Sequence, residues 1–330
     1  MRSALAYTPV LTAAQERTAR DTGSLSLPRV GFDRIVMSSR QTGSVRRENG
    51  AHPPLPFVAL AGWVRTTTTT PQCSNFAYRH RWSYRRADGS EGAFDLVFSP
   101  RRHRPRYRVT IRASMNELLD LRSVYQLTRQ LEVALQVNLL VAEAELTYDS
   151  AGGQVMAEAL ARHVYAPRIR RRADLGNRWW AWGSRRSESS VRVYFKQEAG
   201  IETGRLEVVF RRGILRTLGV NEVPDLASAP WAALCDRKLR LVDFVPSRQA
   251  RQRIDQARLL VEIREGHGVS KALEAMCPQQ RRWFRSRLFR SSEHHRFMAL
   301  LRSFSARLRG LNFGNAVVRR GASEQQGARQ

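Results

Sequence analysis

Cysteine is scarce in this 330-residue chain, and its scarcity excludes a disulfide-stabilised protein and a protein with a cysteine-ligated zinc site. Cys73, Cys235 and Cys277 are odd in number and far apart, and none belongs to a Cys-x-x-Cys pair. This spacing indicates reduced thiols of a cytosolic protein. A disulfide framework needs paired cysteines, and a zinc site needs closely spaced ligands.

Long apolar runs are missing as well. No hydrophobic stretch approaches the roughly 18 residues that a membrane-spanning helix needs. The amino terminus has no compact apolar segment of the kind that secretion signals carry. Because 42% of the residues are nonetheless hydrophobic, the chain can bury a sizeable core. We expect a protein of the bacterial cytoplasm that has no membrane partner.

Acidic residues are outnumbered, with 29 of them against 56 lysines and arginines, which gives a formal net charge of +27. Only three of the basic residues are lysines, so arginine carries nearly all of the positive charge. A chain that repels itself this strongly is typical of proteins that bind a polyanion. We therefore expect nucleic acid as the partner.

The pattern of apolar residues predicts an α+β fold with one antiparallel sheet and packed helices. Runs rich in β-branched and aromatic residues predict strands over residues 30–37, 57–64, 76–84, 93–98, 107–112, 139–148, 191–196 and 205–211. Helical spacing predicts one helix from Ser114 to Leu135 and another that ends near Val164. Strands followed by helices and then further strands are typical of this fold class.

The same patterns divide the chain into four segments. Beyond Thr217 the spacing turns helical, with candidate helices over residues 248–265, 268–276, 279–290 and 294–308. We predict a loose extension over residues 1–29, an α+β domain over 30–221, a basic helical DNA-binding region over 222–310 and a flexible tail over 311–330.

One predicted strand carries a tyrosine between two cations. Side chains alternate across a strand, so Arg192, Tyr194 and Lys196 share one face. Cations on both sides favour the phenolate and bind phosphate, which makes Tyr194 a candidate covalent nucleophile. A tyrosine in a strand is also a common packing residue, and that alternative stays open.

Carboxylates in two of the predicted strands, Glu145 and Glu207, are candidate metal ligands. Glu145 lies among apolar residues, where a carboxylate is costly unless it is paired or binds a metal. Glu207 comes near Tyr194 if the last two predicted strands form a hairpin. Pairing of Glu145 with an arginine remains an alternative, and Asp149 is expected to cap the helix that follows it. Asp33 is expected to be structural.

Taken in order, these residues resemble a known family. The set consists of Asp33, Glu145, Asp149, Arg192-x-Tyr194-x-Lys196 and Arg205-x-Glu207. It is similar to the rolling-circle replication initiators, which include the gene II/X replication proteins of filamentous phages and the replication initiation factors of small plasmids and phages. The resemblance covers residues 30–221. One departure is Glu145, since that strand in these families usually carries an aspartate.

The resemblance implies an α+β nicking domain and a specific reaction. Tyr194 would attack a phosphodiester at the replication origin, leaving a 5′-phosphotyrosyl link and a free 3′-hydroxyl primer. Mg²⁺ or Mn²⁺ would be held by Glu145 and Glu207, with Asp149 as a further candidate ligand. Lys196 and Arg192 would stabilise negative charge on the phosphate.

The partners follow from this reaction. They would be origin DNA, both single-stranded and duplex, and a host helicase and polymerase, because nothing in the sequence resembles an ATP-binding loop. A homodimer is a further possible assembly.

Arginines interleaved with aromatic residues indicate where DNA would bind. Such a pattern suits stacking on unpaired bases, and it equally suits the edge of a core. The candidate DNA-binding residues are Trp182, Arg185, Arg186, Arg281, Arg282 and Arg285. The segment Gly268 to Leu288 could form a helix–turn–helix-like unit whose recognition helix lies near residues 279–290. The pair His294-His295 is expected on the surface.

Two other classes of protein remain open. A non-catalytic DNA-binding regulator would use the same basic surface but would need neither a divalent metal nor Tyr194. A transposase or a plasmid-mobilising relaxase would use similar chemistry to move or transfer DNA rather than to prime replication.

Overall fold

The computed structural model of the chain describes residues 27–39, 63–69, 80–86, 92–99, 106–113, 118–135, 137–167, 169, 171–172, 179–184, 187–198, 201–244, 258, 261–262, 265, 268–311 and 313. The chain divides into two compact units. The first comprises Met1–Ile35, Ala142–Leu218 and Pro230–Phe304, and the second comprises Val36–Val141, Gly219–Ala229 and Ser305–Gln330.

The described chain combines helices with antiparallel strands. The strands are β1 Arg29–Ser39, β2 Trp63–Thr69, β3 His80–Arg86, β4 Gly92–Ser99, β5 Arg106–Ala113, β6 Leu139–Ala151, β7 Val164–Tyr165, β8 Arg171–Arg172, β9 Trp179–Trp182, β10 Ser189–Glu198, β11 Ile201–Arg211, β12 Arg240–Phe244 and β13 Leu288–Arg290. The helices are α1 Leu118–Leu135, α2 Gly153–His163, α3 Arg212–Thr217, α4 Asp225–Ser228, α5 Trp231–Lys238, α6 Gly268–Glu274, α7 Pro278–Arg285 and α8 Ser292–Arg309. The predicted α+β class is confirmed.

The first unit is built on the strand order β1-β6-β11-β10-β9-β8. Each neighbouring pair from β6 onwards in this order, namely β6-β11, β11-β10, β10-β9 and β9-β8, is antiparallel. One face of β6, β11 and β10 is apolar, and its residues are buried, as shown by Leu146, Val193 and Val208. Burial of each such side chain contributes about 1.5–3 kcal/mol. This alternation is what the period-two pattern of the sequence predicts.

Helix α2 covers the apolar face of β10 and β11. Its close approach depends on Gly204 of β11, where an added Cβ would lie 2.6 Å from the backbone nitrogen of Ala157. A glycine at this position therefore lets the helix backbone rest directly on the strand. The opposite face of the sheet stays polar and carries the candidate site.

The second unit contains an antiparallel meander in the order β2-β3-β4-β5 and the helix α1. The predicted strands over 57–64 and 76–84 correspond to β2 and β3, whose described residues begin at Trp63 and His80. The earlier parts of both predictions lie outside the described residues. Among the described residues, no helix is long and apolar enough to cross a membrane.

The C-terminal part of the first unit departs from the all-helical prediction. Residues 279–290 were expected to be one helix, but α7 ends at Arg285 and β13 pairs with β12. A strand of three residues is too short for its period to be read from sequence. Helices α6 and α7 are separated by Ala275 to Cys277, so the predicted helix–turn–helix-like order is present.

Candidate functional site

The polar face of the first unit's sheet brings charged residues of three strands into register. Strand β10 pairs with β11 so that Arg192 lies opposite Glu207 and Tyr194 lies opposite Arg205. Strand β11 pairs in turn with β6, where Asp149 lies opposite Arg205. The last two predicted strands thus form the hairpin that brings Glu207 to Tyr194.

Three carboxylates from three strands meet on this face. One oxygen each from Asp33 of β1, Glu145 of β6 and Glu207 of β11 lie within 4.8 Å of one another. We call these residues the acid trio. Both glutamates are buried, and Asp33 is half-buried. A set of carboxylate oxygens is the hard donor set that Mg²⁺ and Mn²⁺ prefer, so the residues present fit such an ion.

An arginine holds each member of the acid trio through one oxygen. The three ion pairs are Arg34 Nη2–Glu145 Oε2 at 2.7 Å, Arg192 Nη1–Glu207 Oε2 at 3.2 Å and Arg205 Nη1–Asp33 Oδ1 at 2.9 Å. A carboxylate that is fixed through one oxygen can present its other oxygen to a metal ion in a set orientation, as Asp33 and Glu145 do, whereas the second oxygen of Glu207 accepts from the Tyr194 hydroxyl. The arginines therefore preorganise the acid trio as well as offset part of its charge.

Burial makes negative charge costly in the acid trio. It raises the pKa of Glu145 to about 8, and the charge of Glu207 adds to this effect while Arg34 opposes it. Burial likewise raises the pKa of Glu207 above its ordinary value. Carboxylates that ionise against desolvation and mutual repulsion are stabilised when a divalent cation joins them.

Tyr194 is hydrogen-bonded to the acid trio. Its hydroxyl donates to Glu207 Oε1, and its ring stacks on Trp179 with centroids 4.3 Å apart and planes 5° apart. Burial and the charge of Glu207 raise the pKa of the Tyr194 phenol, while Arg205 lowers it. The Tyr194 hydroxyl points at Glu207, which is positioned to accept its proton.

Asp149 has a different role from the two that the sequence predicted. Arg205 donates to both of its carboxylate oxygens, at 2.6 and 2.7 Å, and Arg29 donates to it at 3.0 Å. The residue that caps α2 is Gly152, so the predicted capping by Asp149 is wrong. Asp149 also lies outside the acid trio, and both of its oxygens accept from arginines. Asp33, which was expected to be structural, joins the trio instead.

Lys196 lies on β10 two residues beyond Tyr194 and is half-buried. Its register partner is Thr203, one same-face pair farther along the hairpin than the Tyr194–Arg205 pair. The alternation predicted from sequence therefore holds for all three residues of the Arg-x-Tyr-x-Lys run. Arg192 is the cation of that run that contacts the acid trio directly.

Trp182 does not belong to a DNA-contacting surface. Its side chain is 1% exposed, so of the two alternatives left open for the tryptophans, Trp182 follows the core one. The DNA-binding prediction for this residue is wrong because a buried indole cannot reach a base. Trp179, at the other end of β9, is 39% exposed. Arg185 and Arg186 lie outside the described residues.

The arginines of α7 differ in their surroundings. Arg281 donates to the backbone oxygens of Glu274 and Met276, at 3.2 and 2.9 Å, and so closes the C-terminal end of α6. Its contacts are structural. Arg282 and Arg285 are exposed on α7.

His294 is buried rather than on the surface. Its Nε2 lies 3.1 Å from Asp236 Oδ1, and its Nδ1 accepts from the backbone nitrogen of Leu241 at 3.3 Å. Burial lowers its pKa below the ordinary value. The surface prediction was wrong for this residue because α8 packs its His294 side inward, while His295 is exposed.

Arg34 was not identified as a functional residue from the sequence. Arg34 is one of many arginines, and no local spacing links it to Glu145, which is 111 residues away. No protein-family model matches the chain, and no curated protein matches it. Function is therefore inferred from the residues of the site and their geometry.

Proposed function

We propose that this chain is a rolling-circle-type replication initiator that nicks one DNA strand with Tyr194 as its nucleophile. The observation that carries the proposal is the hydrogen bond from the Tyr194 hydroxyl to Glu207, a member of the acid trio. A nucleophile, a proton acceptor and a set of metal-binding carboxylates are the parts that covalent phosphoryl transfer requires. The net charge of +27 supports DNA as the substrate.

The protein residues account for the proton and the new bond. Glu207 accepts the phenol proton, and the Tyr194 oxygen forms a bond to the scissile phosphorus. The bond from phosphorus to the 3′ oxygen breaks, and that oxygen takes a proton from solvent and leaves as the 3′-hydroxyl, while Glu207 returns the phenol proton to solvent. One phosphoester replaces another, so the step needs no oxidant, reductant or nucleotide. For the same reason the reverse reaction rejoins the strand.

Charge around Tyr194 supports this assignment. Mg²⁺ or Mn²⁺ held by the acid trio would polarise the scissile phosphate. Arg192 is 28% exposed, so its guanidinium can turn from Glu207 to a phosphate oxygen. Arg205 is fixed by Asp149 and Asp33 and supplies a constant positive charge opposite Tyr194. We assign Lys196 to the neighbouring phosphate on the same face.

The basic helices would hold the duplex part of the origin. Arg282 and Arg285 lie exposed on α7, the second helix of the α6–α7 pair, and can contact phosphates on either side of a groove. The 3′-hydroxyl left by the nick would prime synthesis by a host polymerase, with a host helicase that separates the strands. We place this reaction in the bacterial cytoplasm.

The experiment that tests the proposal is nicking of a supercoiled plasmid that carries the DNA adjacent to the gene. The wild type is compared with Tyr194→Phe, and with Tyr165→Phe as a matched tyrosine outside the site, in Mg²⁺ or Mn²⁺ and in EDTA. We expect metal-dependent open circles with protein attached to the 5′ end from the wild type and Tyr165→Phe. Tyr194→Phe is expected to lose at least about 10³-fold in rate.

Three other results would contradict the proposal in different ways. Cutting by Tyr194→Phe at the wild-type rate would assign the nucleophile to another residue. Tight DNA binding without cutting by any variant would identify a non-catalytic regulator. Joining of the cut strand to a second DNA molecule, without rejoining of the circle, would identify a transposase or relaxase.

A further inference from the structure

An exposed tryptophan stands directly beside the proposed nucleophile. Strand β9 pairs with β10 so that Trp179 lies opposite Tyr194, and the two rings are nearly parallel at 4.3 Å between centroids. Trp179 is 39% exposed, whereas Trp182 at the other end of the same strand is buried. The two tryptophans are three residues apart in one strand and so point to opposite faces, and Trp179 lies on the polar face with Tyr194. Packing of the apolar face therefore does not account for this indole.

Exposure of an indole at this position has a cost unless it binds something. Burying a tryptophan removes a large apolar area from water, so an exposed one forgoes that stabilisation. On the same face, Arg192 lies two residues from Tyr194 on β10 and is partly exposed. An aromatic plane next to a solvent-accessible cation is the combination by which proteins bind single-stranded nucleic acid.

We propose that Trp179 is the stacking platform for the nucleotide next to the scissile phosphate, an inference that rests on DNA being the substrate of the proposed nicking reaction. An unpaired base would stack on the exposed part of the indole. Its phosphate would then lie beside Arg192 and the Tyr194 hydroxyl. Because every base has a π face, the platform accepts any base and sets position rather than sequence.

The platform also determines the form of DNA that the site accepts. A base within a duplex has both of its faces stacked on neighbouring bases, so it cannot also stack on an indole. The site therefore acts on a strand that is already melted. Sequence selection is left to contacts outside it, such as those proposed for α7.

The test compares two ligands on the same protein. Fluorescence anisotropy measures binding of 5′-fluorescein-labelled (dT)₁₂ and of a labelled abasic oligonucleotide of equal length, in EDTA so that no cutting occurs. We expect the wild type to prefer (dT)₁₂, and Trp179→Leu to lower that preference by about 5- to 100-fold. A general loss of folding or phosphate affinity cancels in the ratio.

Two further variants complete the design. Trp180→Leu removes the neighbouring tryptophan, which lies opposite buried Val193 on the other face, and should leave the preference unchanged. Trp179→Phe keeps an aromatic plane and should retain most of the preference. The proposed stacking role of Trp179 would be refuted if Trp179→Leu kept the wild-type preference for (dT)₁₂. It would also be refuted if Trp180→Leu lost as much of that preference as Trp179→Leu.

The plasmid-nicking assay separates this inference from the proposed function. If the wild type does not cut DNA but its preference for (dT)₁₂ depends on Trp179, the nicking function is refuted and Trp179 remains a binding site for single-stranded DNA. A wild type that cuts, with a preference that Trp179→Leu leaves intact, would reject the platform alone.

Discussion

Arg205 is the residue whose removal should damage the site and the fold together. Its side chain is 1% exposed, and it donates to both oxygens of Asp149, which is completely buried. It also holds Asp33 of the acid trio at 2.9 Å. Arg205→Met keeps much of the side-chain volume and removes the charge, so Asp149 is left with only Arg29 among the contacts described.

The magnitude follows from the burial of this pair. Breaking a buried ion pair by removal of one partner costs about 3–5 kcal/mol, because the remaining charge stays in the interior uncompensated. Removal of both charges, in Arg205→Met with Asp149→Asn, avoids that penalty. We therefore expect the double variant to be more stable than additivity of the single variants predicts, by about 1–3 kcal/mol.

The assay is urea-induced unfolding at pH 7, followed by tryptophan fluorescence and by far-UV circular dichroism. The matched control is Arg162→Met, which breaks the exposed pair between Arg162 and Glu158, 3.5 Å apart. An exposed pair of this kind contributes at most about 1 kcal/mol. A loss below about 1 kcal/mol in Arg205→Met, or strict additivity of the two single variants, would refute the assignment of Arg205 and Asp149 as a buried pair.

Two further predictions concern the metal and the packing of α2. Mg²⁺ or Mn²⁺ at about 100 times its dissociation constant should stabilise the wild type by about 2.7 kcal/mol in thermal unfolding. Glu145→Gln should abolish this gain, and exposed Glu158→Gln should keep it; a gain that survives in Glu145→Gln contradicts the trio as the metal site. Gly204→Ala should destabilise by about 1–3 kcal/mol, since its Cβ would lie 2.6 Å from the Ala157 nitrogen. Gly310→Ala, whose Cβ meets its nearest atom at 3.4 Å, is the control in the same denaturation assay, and equal effects of the two substitutions would exclude close packing as the cause.

The local sequence pattern was sufficient to predict the fold class and the residues that β10 and β11 contribute to the site. Alternation along β10 places Arg192, Tyr194 and Lys196 on one face, and alternation along β11 places Arg205 and Glu207 on one face. These relations depend only on the two-residue period of an extended chain, which every strand obeys. The hairpin needed one more condition, which is that strands adjacent in sequence pair with each other.

Short elements and buried polar residues were beyond the reach of local pattern. The strand β13 has three residues, and it interrupts a segment whose composition favours a helix. His294 lies in a charged sequence but is buried against Asp236, because the packing of α8 and not the local composition determines which side of that helix faces the core.

The sequence by itself determined the α+β class, the strongly basic character of the chain and the run that places Tyr194 between two cations. Only the tertiary structure decided which carboxylates share a site. Asp33, Glu145 and Glu207 come from strands far apart in the chain, and the order β1-β6-β11 brings their oxygens within 4.8 Å. The same order places Asp149 opposite Arg205, with which it forms a buried ion pair. Strand order depends on which strands pair across the whole unit, and the period of a single strand carries no information about that pairing.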